Sequence, residues 1–210
     1  MFNIHNVMTQ LAAKRPCFHS EADFQHSLAS EFHHLNGYDV RLEVPQPVDG
    51  DKAHIDIRLK GPRATCFLEL KYKTSKLDGD DGHGVEVKGE IFKLKDHGAH
   101  DLARQDFIKD IWRLEQLVNG SPCSHGFTVL LTNDGRYWDP QRMHKGTNGE
   151  KFRVHQGQSL TGDFHFTNTD RDGIPENRRC SIILSGQYAC LWKPYSNGEC
   201  GFKYLTIPVV

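Results

Sequence analysis

The chain has 210 residues, of which 37% are hydrophobic and 25% charged, and its formal net charge is −1. That length suffices for one domain with a well-buried core, and the near-neutral charge excludes a global basic field of the kind that coats nucleic acid. Six scattered cysteines without a CxxC pair exclude a disulfide scaffold, and no apolar run reaches the roughly 20 residues of a membrane span. With no leader pattern at the N-terminus, a cytoplasmic protein with reduced thiols and no membrane contact is expected.

Ser20 followed by Glu21 and Asp23 reads as a helix N-cap with an acidic first turn. Phe24, Leu28, Phe32 and Leu35 then recur at helical spacing, and Asn36-Gly37 supplies the stop. Tyr38 to Val44 reads as a strand ended by Pro45 and Pro47. His54 to Lys60 alternates strictly, which predicts a strand with Ile55, Ile57 and Leu59 on one face and Asp56 and Arg58 on the other. After a Gly61-Pro62 turn, Thr65 to Lys73 predicts the next strand, with Leu68, Leu70 and Tyr72 opposite Phe67, Glu69, Lys71 and Lys73. Residues 78–90, rich in Gly and Asp, predict a surface loop or short hairpin.

Ala99 to Val118 is the best helix, with Phe107, Ile111, Leu114 and Val118 as its apolar stripe and Asn119-Gly120 as its stop. Gly126 to Thr132 is a short apolar run bounded by turn signals, as a buried central strand would be. Residues 133–177 read as loops with two short strands, and Tyr188 to Pro194 with Phe202 to Val209 as a hairpin across Ser196-Asn197-Gly198. No repeat or linker divides the chain, so a single α/β domain over residues 1–210 is expected.

Asp56 and Glu69 stand on the polar faces of neighbouring strands, and Lys71 shares Glu69's face because side chains along a strand repeat every two residues. Two hard carboxylates are what Mg²⁺ or Mn²⁺ takes, with water and substrate phosphate completing the octahedron. A lysine beside them can orient the attacking water and offset charge developing on phosphorus. A lone acid-x-Lys is more often part of a solvated sheet face with surface ion pairs. Glu86-Val-Lys88 serves as an internal control: the same spacing lies among glycines and acids, without a preceding alternating strand that ends in an acid.

The run from the acidic helix start through His54-Ile-Asp-Ile to Leu68-Glu-Leu-Lys-Tyr-Lys73 resembles the PD-(D/E)XK nuclease superfamily, over roughly residues 20–75. The resemblance implies a restriction-endonuclease-like mixed β-sheet core flanked by helices. It implies Asp56 and Glu69 as metal ligands, the Leu70 carbonyl as a third, and Lys71 acting on the nucleophilic water and the phosphate. Ile55 stands where the name-giving proline would be. The family's helical acid corresponds to Glu21, with Gln25 one turn later; Glu31, about 280° further round the helix, and Glu43 on the next strand are the alternatives. The run Phe92 to Val118 is similar to a stretch in uncharacterised bacterial members of that superfamily, as is Thr132-Asn-Asp134 followed by Tyr137-Trp138.

Asp106, Asp110 and Arg113 form one polar stripe of the long helix, expected opposite the apolar one and flanked by Arg104 and Lys109. That stripe reads equally as a helix supporting the catalytic strands or as an intrahelical salt-bridge ladder. From Asp51 to Lys76 seven Lys/Arg face three acids, a local cationic rim of the kind a phosphodiester cleft requires. Arg58, Lys73 and Arg104 are the expected substrate contacts. The histidine spacings, His97-x-x-His100 foremost, lack the further ligands of a zinc site, and no phosphate-binding glycine loop or serine-hydrolase motif appears. The expected activity is Mg²⁺- or Mn²⁺-dependent hydrolysis of DNA, with an inactive nucleic-acid- or protein-binding module as the alternative. A cut across both strands would call for a homodimer.

Overall fold

The computed structural model describes residues 3–35, 37–48, 53–80, 82–121, 123–169, 174–196 and 200–210. Asn36, Asp51, Lys52, Asp81 and the Asn197-Gly198 turn, on which parts of the sequence reading rest, lie outside the described residues.

Helix α1 (Ile4–Lys14) begins behind Asn3, whose side chain accepts from the His5 and Asn6 amides, and it buries Ile4, Val7, Met8 and Leu11. It adds to the expected elements. Helix α2 (Glu21–His34) starts where Ser20 accepts the Asp23 amide at 3.1 Å, and Phe24, Leu28 and Phe32 are fully buried. Each such side chain contributes about 1.5–3 kcal/mol by leaving water.

Strands β1 (Asp39–Pro45), β2 (His54–Lys60) and β3 (Thr65–Lys73) form an antiparallel meander. A two-stranded hairpin, β4 (Val85–Val87) and β5 (Glu90–Phe92), follows. Helix α3 (His100–Asn119) then crosses to β6 (Ser124–Thr132), which lies parallel to β3 in the middle of the sheet. A parallel pair needs such a crossover, and the helix lies on one face of the sheet. After the short α4 (Gly135–Trp138), β7 (Ser159–Phe164) and β8 (Ile182–Ala189) pair as a separate ribbon. Strands β9 (Lys193–Pro194) and β10 (Lys203–Val209) complete a six-stranded mixed sheet of order β1-β2-β3-β6-β10-β9.

Two apolar clusters cover the two sheet faces. Helices α1 and α2 pack on Ile57, Leu59, Leu68, Leu70, Val129 and Leu131. On the other face α3 and β7–β8 pack on Phe67, Leu130, Leu205 and Ile207. The molecule is therefore a mixed α/β protein whose sheet is flanked by helices.

Three expectations change. Ile55, expected beside Ile57 and Leu59, packs in the α3-side cluster, because the β2–β3 ladder ends at Ile57↔Leu68 and β2 departs from regular pairing at Asp56. The C-terminal hairpin is shorter than the apolar runs suggest. Tyr188 and Ala189 pair with β7, and only Lys193 and Pro194 pair with β10. Among the described residues of 133–177 there is one strand, β7, with the short helix α4 and short 3-10 turns, where two strands were expected. Among the described residues no helix is long and apolar enough to cross a membrane.

Candidate metal centre

Beyond Ile57↔Leu68, β3 loses its antiparallel neighbour. Alternate residues of a strand point their amides to the same side, so the Leu70, Tyr72 and Thr74 N–H groups face an open edge and need acceptors. Three side chains supply them. Leu70 donates to Asp56 Oδ2 at 2.6 Å, Tyr72 to Glu21 Oε2 at 2.7 Å, and Thr74 to His97 Nδ1 at 3.0 Å. The opening between β2 and β3 is thus lined by Asp56, Glu21 and His97 in order along the edge.

The opening is held from behind by α2. Gln25, buried, donates both to the Asp56 carbonyl at 2.8 Å and to Glu43 Oε1 at 2.6 Å. Glu43 lies on β1 opposite Asp56 and sits in the left-handed region at φ 49°, where the β1–β2 register skips a pair.

Asp56 lies one step beyond the last β2–β3 pair, opposite Glu69. Glu69 and Lys71 point to the face that α3 covers, a face buried under the helix and not solvated. Lys71 Nζ lies 2.7 Å from Asp110 Oδ2 and 3.2 Å from the Leu70 carbonyl. Arg113 donates to Glu69 Oε1 at 2.5 Å and lies 3.3 Å from Asp110 Oδ1. Glu69 is 2% exposed, whereas Asp56 and Lys71 are half-buried and Glu21 is exposed, so the cluster meets solvent along the open edge of β3. Neither Asp56 Oδ1 nor Glu69 Oε2 takes part in these bonds.

Four carboxyls (Glu21, Asp56, Glu69, Asp110) are coupled here to two cations, Lys71 and Arg113. Burial, with Asp110 and Glu21 adding to it against Lys71, pushes the Asp56 carboxyl up to about 6. Burial and the negative charges of Asp110 and Asp56 push Glu69 up to about 9 against the pull of Arg113 and Lys71. Burial opposes the Lys71 ammonium, yet Asp110, Asp56 and Glu21 outweigh it and hold its pKa above the ordinary lysine range. An excess of carboxyls over cations in a partly buried site is a charge deficit that a divalent cation fits.

Among the described residues no three His, Cys, Asp or Glu side chains converge in a metal-holding group. What the site offers is two carboxylates, the Leu70 carbonyl and an edge open to water. That donor set fits Mg²⁺, which takes one or two carboxylates and keeps water or phosphate on its other positions.

The other expected residues divide. Glu21 reaches the edge, while Glu31 pairs with Lys14 at 2.7 Å, away from this cluster. Lys73 is half-buried at the end of the same strand face, electrostatically beside His97. Arg58 lies on β2 and reaches Asp39 at 4.0 Å. Arg104 does not join the cluster: it is 6% exposed, pairs with Asp101 at 2.9 Å and donates to the Arg136 carbonyl at 2.7 Å.

The stripe Asp106-Asp110-Arg113 is not opposite the apolar one. Asp110 lies only about 70° from that stripe's centre on an ideal helix, so it is buried against β3, and Arg113 follows it inward. Asp106 turns away to Arg178 at 2.5 Å. His97 belongs to the edge and His100 pairs with Asp134 at 2.8 Å, so the two histidines serve different partners. Nothing local marks His97, whose partner Thr74 is 23 residues away.

Comparison of the chain with protein-family models, with curated proteins and with solved structures found no match.

Proposed function

We propose that this protein is a divalent-metal-dependent nuclease of the PD-(D/E)XK type, with a restriction-endonuclease-like fold, hydrolysing phosphodiester bonds in DNA in the cytoplasm. The observation that carries the reading is the break in the β2–β3 ladder at Asp56 and Glu69. It leaves the Asp56 carboxylate on the Leu70 amide, directly across from Glu69 and electrostatically coupled to it, with Lys71 against the Leu70 carbonyl. The order of elements supports it: a helix with an acid, a strand with Asp, a strand with Glu-x-Lys, then a covering helix.

Asp56 and Glu69 would hold Mg²⁺ or Mn²⁺ through Oδ1 and Oε2, with the Leu70 carbonyl beside them. The bound metal would polarise the scissile phosphate. Lys71, held charged by Asp110, would orient the attacking water and offset negative charge on the phosphate. Asp110 and Arg113 would position Lys71 and Glu69. Glu21 would pin the β3 edge through Tyr72 and add negative charge at the entrance.

One observation favours the alternative of an inactive module that binds nucleic acid or a protein. Glu69 is 2% exposed and Arg113 already bonds one of its oxygens. Cleavage of supercoiled DNA in Mn²⁺ separates the two. The nuclease reading expects cutting by wild type and a loss of at least about 100-fold in Lys71→Ala. Cutting that survives Lys71→Ala undiminished contradicts Lys71's role, and no cutting by a folded, metal-loaded wild type favours the inactive module.

A further inference from the structure

A cavity of about 630 Å³ opens at the N-terminal end of α3, and none of Asp56, Glu69 and Lys71 lines it. Four guanidinium groups do, from Arg104, Arg136, Arg142 and Arg153, and Asp101 is the one acid in the described wall. The acids that hold the other arginines stand outside the cavity. Asp134 and Asp96 hold Arg136 at 2.8 and 2.7 Å, Glu150 holds Arg153 at 2.8 Å, and Asp139 lies 3.6 Å from Arg142. These contacts orient the arginines and leave donors over, since a guanidinium carries five. Neither Arg136 Nη1 nor the two terminal nitrogens of Arg142 enter these bonds.

Two further features ask for an anion. The first turn of α3 borders the cavity behind Ala99, which provides no side-chain cap, so the positive end of the helix faces this space. The Arg104 side chain is only 8% exposed and its Nε has no hydrogen-bond partner, while its acid Asp101 is 39% exposed. Asp101 and the Arg136 carbonyl take the two terminal nitrogens of Arg104, and the buried Nε left over is a cost that a hydrogen-bonding ligand offsets. The rest of the wall is mixed, with Met143, Phe166 and Ile174 beside His144, Thr147 and Asn148.

We propose that this cavity binds a nucleotide, its phosphate held by Arg136, Arg142 and the α3 terminus and its base resting against Met143 and Phe166. Guanidinium donors suit phosphate oxygens, and Met143, with the small part of Phe166 that is open, gives a base an apolar rest. The ligand is a free mononucleotide or the 5′-phosphorylated end of a strand, which present the same chemistry. The site does not rest on the nuclease reading, because no residue of the metal centre takes part.

The test is calorimetric titration in EDTA with 2′-deoxyadenosine 5′-monophosphate. Wild type and Asp56→Asn should bind alike, so failure here is distinguishable from failure of the metal centre. Arg136→Gln/Arg142→Gln should bind at least about tenfold more weakly, as should deoxyadenosine without phosphate to wild type. If the double variant does not fold, Arg142→Glu alone, at a side chain 66% exposed, serves instead. No saturable binding to folded wild type overturns the proposal, as does equal affinity for variant and wild type or for nucleoside and nucleotide. Competition by a 5′-phosphorylated single strand, and not by its 5′-hydroxyl form, identifies the strand end as the source; no competition by either identifies the free nucleotide.

Discussion

Asp56 carries two opposed demands. Its burial beside Glu21 and Asp110 lifts its pKa from 3.8 to about 6, so the metal-free folded state holds that proton more tightly than the unfolded chain does. The contribution to stability is full below pH ~4 and is lost as the pH rises through about 6, a span worth roughly 2–3 kcal/mol. Asp56→Asn keeps an acceptor for the Leu70 amide and removes the charge. Urea unfolding in EDTA should show wild type losing stability between pH 4 and 7 by more than the variant, which should be the more stable of the two at pH 8. Equal pH dependence in both would mean that Asp56 ionises freely and that the opening is wetter than its burial indicates. Lys71 was legible because the strand period sets it on Glu69's face. Its partner Asp110 was not, since 39 residues and a helix crossover separate them and only the fold brings them together.

Among the elements, the bounds of β2 and β3 were read to the residue, because side-chain alternation and the Gly61-Pro62 turn between them are local signals. The α3 boundaries differ from the expected ones by one residue. Helix α1 was legible and passed over: Ile4, Val7, Met8 and Leu11 stand at helical spacing behind an Asn cap. The stretch from Asp134 to Phe166 was not legible, since its elements are fixed by distant partners, as when Trp192 Nε1 donates to the Val154 carbonyl.

Helix α3 is clamped to the second ribbon by Glu115, which is 3% exposed and accepts from the Ser185 and Gly186 amides and from Tyr188 Oη at 2.7–3.0 Å. Glu115→Ala orphans three donors and should cost about 2–4 kcal/mol in urea unfolding. Glu115→Gln, which keeps the acceptor, should cost less than half of that. At Phe107, fully buried on the same helix, truncation to Ala should cost about 3–5 kcal/mol. A cost below about 1 kcal/mol at both sites would show that α3 is not anchored as described.

Across the whole molecule, the sheet carries a core on each face, and the proposed metal centre lies where its ladder opens between them. A cation that binds only the folded chain raises stability by about 2.7 kcal/mol at a hundredfold excess over its Kd. For a chain of this size that corresponds to roughly 5–10 °C in Tm. Mg²⁺ should therefore raise the Tm of wild type and leave that of Asp56→Asn/Glu69→Gln unmoved.

Mn²⁺ titration followed by electron paramagnetic resonance shows whether Asp56 and Glu69 share one divalent cation. One Mn²⁺ per chain should bind wild type, competed by Mg²⁺, with binding lost in Asp56→Asn and in Glu69→Gln while both variants stay folded. Wild type that leaves Mn²⁺ free at millimolar concentration, or variants that bind it as tightly as wild type, would mean that these two carboxylates hold no shared cation.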